Sequence, residues 1–267
     1  LSSEVIVYKG MFLAEQLSSF YPDLLDPDFK SKFALYHQRY STNTFPTWSL
    51  AQPFRVLAHN GEINTLKGNL NWMKAHETRI TDDFFGDRVE DLKPILDSDA
   101  SDSASLDAAF EILLQTDRSL PMTKSMIIPE SWSNNNDMPD ELKKMYAYCN
   151  AVIEPWDGPA AVCANFGDWI ISGMDRNGLR PLRYIITDDD LLISGSEVGM
   201  VIIDDRNILK KGRVGPGELI AINYKEKKFY QSDELKKQLA KENPYADWNK
   251  NTILLDEILE KQSATKP

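Results

Sequence analysis

Cysteine is scarce in this chain: the 267 residues contain two, Cys149 and Cys163. That is too few, and too widely spaced, for a disulfide scaffold or a thiolate metal site, so both read as small core residues. The three histidines, His37, His59 and His76, lack the i,i+4 spacing that puts two imidazoles on one helical face, and no metal is predicted. No apolar run is long enough to span a bilayer, and no basic-then-apolar leader opens the chain, which argues against membrane partners. Positive charge is also short, with 30 Lys and Arg against 41 Asp and Glu and a net charge of −11. A nucleic-acid footprint needs the opposite balance. Internal repeats and low-complexity tracts are missing too. What remains is a composition of 42% hydrophobic and 27% charged residues, ordinary for a globular protein able to bury a sizeable core. A cytoplasmic chain is expected, with a plastid as the alternative compartment.

The hydrophobic pattern changes character along the chain. Glu4 to Tyr8 alternates like a strand, although residue one is Leu1 rather than Met, so the chain reads as excised from something longer. Met11 to Phe20 has near-helical spacing and Phe33 to Tyr40 is extended. Residues 41–53 form a polar loop, followed by a strand from Phe54 to Ala58 that ends in His59-Asn60-Gly61. Helices are predicted over Thr65 to Thr78, Ser101 to Gln115 and Asp140 to Glu154, the last with Cys149 on its apolar stripe. Short strands then follow at Pro159 to Asn165, Trp169 to Met174, Leu182 to Ile186, Leu191 to Ser194 and Glu218 to Tyr224. Turn signals at Asn177-Gly178, Asp188-Asp189-Asp190 and Pro216-Gly217 join them. Helices followed by antiparallel strands indicate an α+β fold. Residues 1–233 read as one domain, and 234–267 as a charged helical segment leading out of it.

The stretch from His37 to Trp72 carries Arg39-Tyr40-Ser41-Thr42, Phe45-Pro46-Thr47-Trp48, Ala51-Gln52-Pro53-Phe54, Leu57-Ala58-His59-Asn60-Gly61 and Glu62-Ile63-Asn64-Thr65. It resembles the glutaminase domain of glutamate synthases, and its shorter elements resemble class II glutamine amidotransferases in general. Ser101-Asp102-Ser103-Ala104 with Leu106-Asp107, Glu154 to Pro159, and Asp175-Arg176-Asn177-Gly178-Leu179-Arg180-Pro181 continue the match in unbroken order to about Asn223. The resemblance implies an N-terminal-nucleophile hydrolase fold, a four-layer αββα sandwich with stacked antiparallel sheets, here incomplete at its N-terminus.

The resemblance also implies a chemistry. Amide hydrolysis needs a nucleophile, a base, oxyanion donors and substrate-selecting groups. The family supplies the first two from an N-terminal Cys and its own α-amine. With Leu1 in that place the nucleophile Cys is expected to be absent, and the fragment inactive alone. Asn60 and Gly61 would form the oxyanion hole, although Asn-Gly alone reads as a hairpin turn. Arg39 would hold the glutamine α-carboxylate, with help from Thr42, and Asp102 the α-ammonium; on the bland reading Asp102 caps its helix and Arg39 pairs with a surface acid. His59, Glu62, Asn64 and Thr65 are possible site-lining groups. The segments at Asp175 to Pro181 and Ser194-Gly195-Ser196-Glu197 are assigned to scaffold. The parent enzyme would make two glutamates from glutamine and 2-oxoglutarate. It would use FMN and an iron–sulfur cluster, neither held here, with NAD(P)H or ferredoxin as electron source. Its partners would be L-glutamine, downstream synthase domains of the same polypeptide and a small reductase subunit. The rival readings are the glutaminase half of another class II amidotransferase and a nucleophile-free scaffold that binds glutamine or a partner.

Overall fold

The structure, a computed structural model, describes residues 5–39, 45–80, 86–197, 199–253 and 258–259. Its first regular elements are slight: a 3-10 turn at Ala14–Gln16 and a single-turn helix α1 (Leu17–Phe20). The helix expected over Met11 to Phe20 shrinks to these, because its apolar side chains have no core to meet; Leu13 and Phe20 are exposed. Val5 to Tyr8 and Phe33 to Arg39 form no strand. Extended segments without a laddered neighbour do not register as sheet, while Glu4 and Tyr40 lie outside the described residues.

From residue 54 onward the chain packs tightly. Strand β1 (Leu57–Gly61) leads into α2 (Leu66–Glu77), then α3 (Asp102–Leu114), α4 (Leu120–Ile127) and α5 (Asp140–Val152). The Ser101 hydroxyl caps α3 by accepting from the Ala104 N–H, and Ser119 caps α4 by accepting from Met122. Strands β2 (Ala160–Phe166), β3 (Trp169–Met174), β4 (Arg183–Thr187), β5 (Leu192–Gly195), β6 (Ile208–Arg213), β7 (Leu219–Asn223) and β8 (Lys228–Tyr230) follow, then α6 (Ser232–Leu239) and a short α7 (Tyr245–Trp248).

Two antiparallel sheets result, β1-β2-β3-β7-β8 and β5-β4-β6. The two-residue side-chain period divides the first sheet between two cores. Val162, Ala164, Ile171, Leu219 and Ala221 face the helices, beside Leu106, Phe110, Met126, Met145 and Leu235. Ala161, Met174 and Ile220 face the second sheet, beside Leu182, Tyr184 and Val214. The described residues therefore build helix, sheet, sheet in that order, the corresponding part of the expected α+β sandwich. Pro216-Gly217 makes the expected turn, with Gly217 at φ +68° and the Glu218 N–H bonded to Gly215 O at 3.1 Å. The packed core continues past residue 233, for Leu235, Leu239 and Tyr245 are buried in the main cluster.

Helix α4 was not legible because all eight of its residues are buried, which leaves no polar stripe to mark a helical period. One of them is a lysine. The Lys124 ammonium donates to Met174 O at 2.7 Å, close to Lys236, Glu130 and Asp175. Lys236 pairs with Glu130 at 2.7 Å, and the Tyr146 hydroxyl donates to the same carboxylate at 2.8 Å. Burial, reinforced by the Lys236 charge, pulls the Lys124 amine down to about 7, against Glu130 and Asp175. The unfolded chain then binds more protons than the native one between about 7 and the ordinary 10.5, so this residue's contribution makes stability rise with pH in that window. Denaturant unfolding of wild type and Lys124→Met at several pH values should show wild type gaining on the variant as pH climbs from 7 toward 10. A gap that does not change with pH would refute the buried-amine account.

Candidate functional site

Helix α3 grips β1 along its length. Asp107, 3% exposed, accepts three successive backbone N–H groups, from Arg55, Val56 and Leu57 at 3.2, 2.9 and 3.0 Å. One turn earlier the Ser103 hydroxyl meets His59 Nδ1 at 2.8 Å. Asp102, at the first helical position, accepts the Ile63 N–H at 2.8 Å through Oδ2 and the Ser103 N–H at 2.7 Å through Oδ1. The helix and strand thus run in opposite directions, and the side chains of 107, 103 and 102 fix the start, middle and exit of the strand. Ser101 rather than Asp102 caps the helix, so the capping alternative for Asp102 does not describe it.

On the other side β1 pairs with β2, Asn60 opposite Ala161 and Gly61 opposite Ala160. The Glu62 N–H bonds to Pro159 O at 2.9 Å, and both backbone groups of Ala160 go to Asp175. Bonded and non-bonded pairs alternate in an antiparallel ladder, so the register turns the Gly61 N–H away from β2 toward the open edge of the sheet. Glycine is demanded here by close approach, since a Cβ would stand 1.8 Å from Pro159 O and 2.8 Å from His59 Nε2.

Along that edge the Gln52 amide brackets His59, accepting its N–H at 2.7 Å and donating to its carbonyl at 3.2 Å. His37 also lies here, its ring near the backbones of Arg39 and His59; burial pushes its imidazole below the ordinary value, against those two groups. The His59 ring is 2% exposed. Burial takes it down to about 4, with Asp102 and Asp175 opposing and His37 and Arg180 assisting. A neutral imidazole of that weakness orients the strand and is a poor proton carrier near neutrality.

The remaining predicted residues fall as follows. The Asn60 amide donates to Ser196 Oγ at 3.1 Å. Arg39 is exposed, and its guanidinium makes no hydrogen bond or ion pair among the described residues. Thr42 lies outside the described residues. Glu62 and Asn64 are exposed. The Thr65 hydroxyl donates to Asn69 Oδ1 at 2.6 Å and accepts the Asp157 N–H at 3.0 Å, which braces residues 155–159 against α2. The structure therefore sets His59, Asn60 and Gly61 on the exit half of β1 with Asp102 at the helix start that anchors it, while the Asn60 side chain leaves by the face opposite His59, toward Ser196. Sequence reasoning missed Gln52, Ser103, Asp107 and Ser196 as supports, although all four stand inside the matched motifs. A shallow groove lined by Lys67, Leu70, Lys74, Leu96 and Ser98 lies on α2 and includes none of these residues.

Of the chain's two thiols, Cys163 stands opposite Ala58 on β1, two positions from the residue that faces Asn60. Cys149 is buried in the helical core, where desolvation pushes it up to about 12. Cys163 is raised by burial, with its sulfur 3.3 Å from Ser172 Oγ. Both behave as the structural residues expected.

Comparison with known proteins decides the family, for the one described as glutamine amidotransferases class-II matches residues 1–248. The chain belongs to the class II glutamine amidotransferases. Among curated relatives of this domain, the glutamate synthase [NADPH] large chain of Azospirillum brasilense is 57% identical over 263 residues, 98% of this chain and 17% of that protein. The ferredoxin-dependent glutamate synthase of Pyropia yezoensis is 45% identical over 249 residues, 92% of this chain and 16% of that protein. The glutamate synthase [NADH] of Saccharomyces cerevisiae is 42% identical over 268 residues, 100% of this chain and 12% of that protein. The chain thus spans about a sixth or less of the length of these relatives. A Bacillus subtilis glutamine phosphoribosylpyrophosphate amidotransferase structure aligns with TM-score 0.36 at 18% identity, over 73% of this chain and 34% of that one.

Two outcomes follow from the clamp. Asp107→Asn replaces an all-acceptor group with one that carries N–H donors toward three backbone N–H groups, and urea unfolding should show a loss of about 2–4 kcal/mol; a loss below about 1 kcal/mol would mean that β1 is held by other contacts. Because the native state keeps His59 neutral down to about 4 and the unfolded chain protonates it near 6.5, wild type should lose stability relative to His59→Gln as pH falls from 6.5 to 4, and parallel it above 6.5.

Proposed function

We propose that this domain binds L-glutamine and hydrolyses its side-chain amide to glutamate and ammonia, the ammonia-supplying half-reaction of a glutamate synthase. The observation that carries this reading is the joint anchoring of the β1 exit by α3: the Asp102 carboxylate holds the Ile63 N–H, just beyond Asn60 and a Gly61 N–H that the register turns outward. As the thiolate adds to the substrate carboxamide carbon, negative charge develops on its oxygen. Asn60 Nδ2 and the Gly61 N–H are neutral, preset donors for that charge. Asp102 keeps lone pairs beyond its two backbone bonds and attracts the α-ammonium, while Arg39, exposed and uncommitted among the described residues, takes the α-carboxylate in a two-point contact. Thr42 joins Arg39 in this reading. His59, neutral and walled in, holds the strand; Glu62 and Asn64 line the exit beyond it.

Neither Cys149 nor Cys163 suits the nucleophile's task, since an attacking thiol must ionise near neutral pH and burial moves both the other way. The 267 residues by themselves are therefore assigned no glutaminase activity. Iron–sulfur clusters are held by sets of thiolates, completed by histidines in some centres, and the described residues gather no such set around Cys149 or Cys163, so we assign the iron–sulfur centre to other parts of the parent, with FMN. The parent passes the ammonia internally to make glutamate from 2-oxoglutarate, drawing electrons from NADPH, NADH or ferredoxin, the donors named for its relatives. The domain is assigned residues up to about 248, where the family match ends.

The test is release of glutamate and ammonia from glutamine by the full polypeptide. Asn60→Ala should lower kcat by about 100- to 1,000-fold, and Arg39→Ala and Asp102→Asn should chiefly raise KM. Full activity in Asn60→Ala, or steady turnover by the isolated 267 residues, would overturn the assignment.

A further inference from the structure

Asn60 carries the most demanding task in this reading, and its carboxamide is not free to choose its direction. The torsion that sets an amide plane is broad and roughly two-fold, whereas an oxyanion donor must be aimed closely at the point where charge develops. The amide has two N–H groups. One is used within the protein, donated to Ser196 Oγ at 3.1 Å across 136 residues of sequence.

Ser196 stands on a firm base. It directly follows β5, whose register with β4 sets Tyr184 opposite Ser194 and Arg183 opposite Gly195; β4 is in turn laddered to β6. The turn beyond folds back so closely that a Cβ on Gly195 would lie 2.2 Å from the Met200 methyl. Asn60 belongs to one sheet and Ser196 to the end of the other, so the contact ties the candidate site to both layers.

We propose that Ser196 is a positioning residue that aims the Asn60 carboxamide, its hydroxyl oxygen accepting one N–H so that the second is presented to the oxyanion. The proposal rests on the assignment of Asn60 as an oxyanion donor. A hydroxyl suits this part because it accepts without bringing charge, and a charge beside the oxyanion would compete with the developing one. The segment Ser194 to Glu197 then does more than shape a turn.

The experiment is steady-state glutaminase kinetics in the full polypeptide, with melting temperatures recorded for each variant. Ser196→Ala should lower kcat about tenfold and leave KM for glutamine unchanged, because the donor acts on charge that exists only in the transition state. Ser196→Thr, which keeps the hydroxyl, should recover most of that loss. In the double variant with Asn60→Ala, Ser196→Ala should add nothing further, since the amide it would aim is gone. A wild-type kcat for Ser196→Ala, or a loss that multiplies fully with that of Asn60→Ala, would overturn the proposal while leaving the oxyanion assignment of Asn60 standing. A wild-type kcat for Asn60→Ala would instead remove that assignment, and this proposal with it.

Discussion

The buried carboxylate of Asp107 is the constraint on which the site depends. The chain enters β1 through a bend at residues 55–56, and the N–H groups of Arg55, Val56 and Leu57 converge on one side of it; left unmet against the interior, such groups would cost about 1–3 kcal/mol each. One carboxylate takes all three. Burial pushes the pKa of this carboxyl up, toward the neutral acid, and the three N–H bonds oppose it, so the carboxylate and the strand stabilise each other. Because Asp107 belongs to the same helix as Ser103 and Asp102, fixing the strand's start also fixes where His59 and Ile63 fall. A one-residue slip would send every side chain of β1 to the opposite face, and the three helix contacts exclude it together.

From that register the chemistry of the edge follows. Asp175 occupies both backbone groups of Ala160, while the ladder bond next to it lies between Glu62 and Pro159. The Gly61 N–H is thereby left on the outer side, between two bonded positions that hold it still. Preset dipoles of this kind need no rearrangement when charge develops near them. The same anchoring explains why His59 is held neutral: the ring fills the space under a glycine that admits no Cβ, and a charge there would have no water to stabilise it.

Legibility in the sequence followed the physics of each element. Trp169–Met174 was readable to the residue because a short, mostly apolar run bounded by turn residues marks a strand buried on both faces. Helix α3 was readable from Ser101 and its apolar stripe. By contrast α4, buried all round, carries no stripe, and β8 is only three residues long. Asn60, Gly61 and Asp102 could be singled out through the resemblance, whereas Asp107 and Ser196 could not, since nothing in local spacing says that one carboxylate will meet a strand 50 residues away or that a serine will reach an asparagine 136 residues upstream. Such contacts are decided by packing between layers, which periodicity does not encode.

Buried polar atoms are nearly always satisfied, so the places where this rule lapses carry information. Among the described residues, seven buried side-chain atoms lack a hydrogen-bond partner: Ser105 Oγ, Thr123 Oγ1 and Asn150 Oδ1 on the helices, and His59 Nε2, His37 Nδ1, Arg180 Nε and Ser194 Oγ. His37 and Arg180 both act electrostatically on His59, and Ser194 stands two positions before the serine that holds Asn60. Elsewhere even a buried lysine is met, by a carbonyl at 2.7 Å. Four of the seven unmet atoms thus belong to His59, to residues that act on it or to the strand that leads into Ser196, and three lie on the helices. Natural sequences break local rules chiefly where function requires it, and the larger share of these breaks gathers about the strand that the helix clamp fixes.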